Sequence, residues 1–158
     1  MNGPLLPLAA LVLAAQAATA AEAELATPTA ATQPATRHIT QTYLRAQPGK
    51  RAALIEYIKR NWFAMDRIGI ARGLFTSYSL LERAEGDEAD WDVIVMVGYP
   101  TPEGHDAPGV AEAFRAIRAA HREEKIDGLG FAQLGVIVRH YPLVVADQSD
   151  GAPAARLN

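Results

Sequence analysis

Asn61, Trp62, Met65 and Asp66 bring an amide, an indole, a thioether and a carboxylate into one short segment. Asp66 follows Trp62 by four positions, so in a helix the two share a face. A carboxylate held among aromatic rings is desolvated; its pKa rises, and it can accept or donate a proton near neutrality. Tyr43 and Tyr78 are the rings expected to line such a pocket, with Asn61 and Trp62 against the ligand. A plainer reading competes with this one. Trp62 and Met65 also continue a core stripe, and Asp66 could pair with Arg67 or Arg72 at the surface.

His121 is the second candidate catalytic group beside Asp66. A neutral imidazole there could act as a base or bind a metal. It could equally be a half-exposed histidine near a helix C-terminus, where the helix dipole favours its cation. Glu103, His105 and Asp106 share a Pro/Gly loop, a thin basis for a metal site, and no metal is expected. His38 and His140 flank strands.

Several classes are excluded. The chain has no cysteine, which removes disulfides, thiol catalysis, thiolate metal sites and acylation at a lipoprotein cysteine. No Gly-rich phosphate loop, His-Glu-x-x-His or Gly-x-Ser-x-Gly pattern occurs, so nucleotide-dependent and hydrolase classes are unsupported. With 15 basic and 18 acidic residues the net charge is −3, and the charges are interspersed. Nucleic acid and anionic membrane surfaces are therefore not expected partners.

The ends of the chain differ from its middle. Residues 1–20 carry no charged side chain, Leu5 to Ala15 is almost wholly apolar, and Ala18, Thr19 and Ala20 form a small-x-small cleavage pattern. The apolar run is shorter than the roughly 20 residues a spanning helix needs. A signal peptide cleaved before Ala21 is expected, although the n-region lacks Lys and Arg. The mature protein is then periplasmic or secreted, without stable membrane insertion. Residues 21–36 read as a flexible leader and 146–158 as a disordered tail. Hydrophobic residues are 49% of the chain, enough for residues 37–145 to bury a core.

Within that unit, Arg37 to Ala46 reads as a strand ending at the turn Gln47 to Gly49. Leu54, Ile58, Trp62 and Met65 then recur at helical spacing, up to Gly69 to Gly73. Leu74 to Leu81 reads as a second strand and Trp91 to Tyr99 as a third. The unbroken apolar run Val93 to Val97 marks the third as central. Val110, Phe114 and Ile117 place a second helix that stops near Asp127 and Gly128. Phe131 to His140 reads as the fourth strand, with Leu134, Val136 and Val138 facing the helices. This β-α-β-β-α-β order predicts a ferredoxin-like α+β fold: a four-stranded antiparallel sheet with two helices on one face. The reverse face, assigned Thr40, Gln41, Thr42, Thr76, Ser77 and Ser79, has few mid-strand charges. That pattern suits a homodimer that covers it.

The run Tyr43 to Ala46 into Pro48, Gly49 and Lys50, with Ala113, Phe114, Ala120 and His121, resembles the dimeric α/β-barrel superfamily. That group includes antibiotic-biosynthesis-type monooxygenases, NIPSNAP-like proteins and haem-degrading monooxygenases. The resemblance covers about Ile39 to His140 and implies sheet-to-sheet dimers with a pocket between helices and sheet. It does not fix an activity. The function expected is binding of a small apolar or aromatic ligand. The alternative is a monooxygenase, cofactor-free or haem-dependent. Haem-degrading members use an Asn, a Trp and a helical His. Their Asn lies on the first strand, where this chain has Thr40, Gln41 and Thr42.

Overall fold

The computed structural model describes residues 34–86 and 88–147. The expected signal peptide lies outside them, as do most of the leader and the tail. Four strands, β1 (His38–Ala46), β2 (Ser77–Glu82), β3 (Val93–Tyr99) and β4 (Gly135–Val144), form one antiparallel sheet in the order β2-β3-β1-β4. Helices α1 (Arg51–Tyr57), α2 (Phe63–Ala71) and α3 (Val110–Ala120) pack on one face of it. Between α1 and α2 the chain stays helical through a π-turn, Ile58–Trp62. The architecture is the ferredoxin-like one.

Strand alternation divides β1. His38, Thr40, Thr42 and Leu44 face the helices, and Ile39, Gln41, Tyr43 and Arg45 face away. The expectation that Thr40 and Thr42 lie on the reverse face is corrected, because the phase is set by Leu44, which the core takes. Leu44, Leu54, Ile58, Val93 and Leu134 are fully excluded from water; each such side chain contributes about 1.5–3 kcal/mol. Gly135 admits Leu54 against the sheet, since a Cβ there would lie 2.8 Å from Leu54 Cδ2.

Several boundaries differ from expectation, among them a start of strand three at Val93 and an end of strand four at Val144. The second helix ends at Ala120, because the His121 N–H closes on the Ile117 and Arg118 carbonyls and the chain then turns extended. Strand two starts at Ser77, after buried Phe75 and Thr76. Strand four starts only at Gly135, because Phe131–Leu134 is a helical turn, α4, capped by the Gln133 side chain on the Gly130 N–H. It then runs through Pro142, which an edge strand tolerates.

The stripe expected on strand four is also corrected. Tyr43 pairs with Arg139 and Leu44 with Ile137, so Val138 is an extra residue, a β-bulge. It reverses the alternation of everything after it. Before the bulge Ile137 shares the helix side with its partner Leu44 and Val136 the outward side with Arg45; beyond it His140 and Pro142 face the helix side, while Arg139, Tyr141 and Leu143 face outward. The outward face carries exposed Leu81, Val136, Tyr141 and Leu143. No helix among the described residues is long and apolar enough to cross a membrane.

Candidate functional site between the helices and the sheet

Beyond Leu44, towards the His38 end of β1, the layer between helices and sheet opens into a cavity of about 850 Å³. Its helical wall begins at the π-turn. An inserted residue of this kind breaks the regular helical ladder and is frequent at functional sites. Here it carries Asn61 and Trp62. Asn61 is 2% exposed and its amide is fully committed. Nδ2 donates to the carbonyls of Tyr57 (3.0 Å) and Glu124 (2.9 Å). Oδ1 accepts from the Glu124 N–H (2.8 Å) and from His121 Nε2 (3.0 Å). Arg60, one residue earlier, bonds Glu124 and Glu56. The loop after α3 is thereby fastened to the helical wall.

The sheet wall consists of His38, Thr40 and Thr42 from β1, Val95, Val97 and Tyr99 from β3, and His140 and Pro142 from β4. His38 Nδ1 donates to the Pro102 carbonyl at 2.8 Å, and the Tyr99 ring meets His38 edge-on at 5.7 Å. Gly104, at φ +58, lies against the same imidazole; a Cβ there would come within 2.5 Å of His38 Cδ2. Glycine is required at that position on both counts. Thr42 Oγ1 and His140 Nδ1 share a hydrogen bond of 2.9 Å.

Asp66 is 5% exposed. Burial pushes its carboxyl up to about 7, against the opposing charge of Arg67. Among the described residues no hydrogen bond or ion pair holds it, and the expected surface pairing with Arg67 or Arg72 is not formed. Tyr99 is pushed up chiefly by burial, against a hydrogen bond from Thr40, with the Asp66 and Asp106 charges adding to the rise. Burial and Glu123, which accepts the Tyr57 hydroxyl proton at 2.7 Å, push Tyr57 up to about 12. Aromatic rings complete the enclosure: Trp62 against Phe131 at 5.3 Å, and Phe114 with Arg118 over its face at 5.3 Å.

Of the residues singled out in the sequence, Asn61, Trp62, Asp66 and His121 line this one cavity, and Glu103, His105 and Asp106 also reach it. Tyr43 and Tyr78 do not. Tyr43 lies on the reverse face, edge-on to Trp91 (5.5 Å) and Tyr141 (5.8 Å). Tyr78 packs in the core against Phe63 at 4.4 Å. The chain has 4 histidines, and His38, His105, His121 and His140 all line the cavity. Sequence reasoning missed His38, Thr40, Thr42, Tyr99 and His140 as one set. The alternation of His38, Thr40 and Thr42 in phase with Leu44 was the signal that could have found them.

Among the described residues no group of three or more His, Asp or Glu side chains is placed to hold a metal ion. The lining does not fit haem either. Its two carboxylates would have to share a lining that carries Asp66, Glu103, Asp106 and Glu123, with Arg118 the one guanidinium among the lining groups.

No family model and no curated protein matches the chain. Three solved structures are similar to it. HapK from Hahella chejuensis is 11% identical with a TM-score of 0.46, over 75% of this chain and 98% of its own. A protein described provisionally as an antibiotic biosynthesis monooxygenase, from Chloroflexus aurantiacus, is 19% identical (TM-score 0.41; 72% and 97%). An uncharacterized NIPSNAP-like domain protein from Burkholderia xenovorans is 18% identical (TM-score 0.39; 75% and 92%). The last two are of the kinds the sequence resembles. The ferredoxin-like fold rests on the strand order of the sheet itself.

Proposed function

We propose that the cavity binds a small, mostly aromatic molecule bearing a polar, ionisable group, and that Asp66 exchanges a proton with it. The observation that carries this is the cavity itself: about 850 Å³, with aromatic walls and a few convergent polar groups, as ligand sites are built. A buried carboxylate at about 7 favours proton transfer over passive binding, because both protonation states are available near neutral pH. A cofactor-free monooxygenase is one enzyme class that would use such a proton acceptor.

The test is a panel of naphthols and alkylphenols, followed by melting temperature and tryptophan fluorescence. Trp62 lines the cavity and Trp91 lies on the opposite side of the sheet. Binding is expected to quench fluorescence in Trp91→Phe and not in Trp62→Phe. A panel in which no compound quenches or raises the melting temperature sinks the reading.

Two further parts of the proposal rest on other features. A second copy of the chain covers the reverse face of the sheet, supported by its exposed Leu81, Tyr141 and Leu143. The protein is exported, supported by the signal-like residues 1–20; N-terminal sequencing of the exported form would then begin at Ala21.

A further inference from the structure

His121 is only partly buried and lines the cavity, yet one of its ring nitrogens is already taken. The partner is Asn61 Oδ1, and which end of that amide is oxygen follows from the backbone. The other amide atom faces two carbonyls, Tyr57 and Glu124, so it must be the NH2. The first faces the Glu124 N–H, so it must be the oxygen. An oxygen that can only accept requires a proton on His121 Nε2. In the neutral ring the lone pair then resides on Nδ1, for which the described residues supply no partner.

Asn61 meets four polar groups and is almost completely buried, so it cannot turn to a ligand without orphaning them. The π-turn places it there. Asn61 was expected to touch ligand; its geometry gives it a different task.

We propose that Asn61 is a positioning residue: it locks His121 as the Nε2–H tautomer and so presents Nδ1 to the cavity as a hydrogen-bond acceptor. The ligand accordingly carries an O–H or N–H donor. This deepens the binding reading above and rests on it for the ligand, but not for the tautomer. His121 acts separately from Asp66, which sits one helical turn beyond Trp62 and makes no bond to it. A purely structural Asn61 would fasten the loop equally well but would leave no preference among ligands.

Long-range proton–nitrogen spectra of the whole chain at pH 8, with His121 assigned by its loss in His121→Phe, read the tautomer directly. A protonated Nε2 and bare Nδ1 are expected in the wild type, and a mixture in Asn61→Ala. A wild-type ring protonated at Nδ1, or a mixture, overturns the proposal even if Asn61→Ala does not fold. For the ligand, 2-naphthol is compared with its methyl ether. Wild type is expected to prefer the naphthol by up to about tenfold, the worth of one good hydrogen bond, and His121→Phe to lose that preference. A preference that survives in His121→Phe overturns the acceptor role. Failure of both compounds to bind wild type overturns the cavity reading instead, while the spectrum still decides the tautomer.

Discussion

The two ends of the helix–sheet layer are built from the same strands and differ in what those strands carry. At one end β1 supplies Leu44, β3 supplies Val93 and the helix supplies Leu54 and Ile58, all excluded from water. At the other end the same alternate positions of β1 are Thr42, Thr40 and His38, β3 ends in Tyr99, and the space is not filled. Apolar side chains close a layer because each removed atom of water contact stabilises it. The polar heads, with His38 on the Pro102 carbonyl and Thr42 on His140, bond to neighbours instead of interdigitating, and they leave space that a ligand can fill. The fold therefore divides its labour along the strands, with stability at the Leu44 end and chemistry at the His38 end.

The largest effect that sharpens this contrast is at the filled end. Leu54→Ala should destabilise by about 2–5 kcal/mol in chemical denaturation, the range for emptying a closed core. A loss below about 1 kcal/mol would mean that the two ends are packed alike.

At the hollow end the sign should reverse. The Asp66 carboxyl moves from an ordinary 3.8 to about 7 on folding, so between those values the folded state binds more protons than the unfolded one. Stability is then fully present at acid pH and falls as pH rises through about 7. Asp66→Asn should abolish that fall and raise stability at pH 8 by on the order of 2–4 kcal/mol, at the expense of any proton transfer. Parallel stability–pH curves for variant and wild type would show that the carboxylate is solvated after all.

The smallest effect on chain stability is expected from the reverse face. Leu143→Glu should change it by less than about 0.5 kcal/mol, because Leu143 is 42% exposed. If a second copy covers that face, the same substitution should halve the mass measured by light scattering. An unchanged mass equal to one chain in both proteins argues that the face meets solvent.

Much of the layout was legible in the sequence. Helical spacing of Leu54, Ile58 and Met65, the apolar run of β3 and the turn at Gln47 to Gly49 each follow from period and turn chemistry. They suffice for the strand order. Two of the features that were not legible are the π-turn at Ile58–Trp62 and the bulge at Val138. Both are single-residue insertions within otherwise regular elements, and neither changes composition or turn signals. The helical turn Phe131–Leu134 was a third: read as strand, it began strand four too early and carried the phase of Leu134 onto Val136 and Val138. At the site, Asp66 and His121 stood out by residue type. Thr40 and Thr42 were misplaced because uncharged polar side chains mark an exposed face as readily as a cavity wall; only alternation from Leu44 separates the two.

The bulge at Val138 also makes the identity of the binding wall depend on pairing register rather than on residue choice. Were Val138 drawn into regular pairing, His140 and Pro142 would turn out and Arg139, Tyr141 and Leu143 would turn in, exchanging an imidazole for a guanidinium and a phenol with no substitution at all. A relative that paired this strand without the bulge would then keep the architecture while offering its guest a cationic surface, so that gaining or losing the bulge in β4 is a short route between ligand specificities.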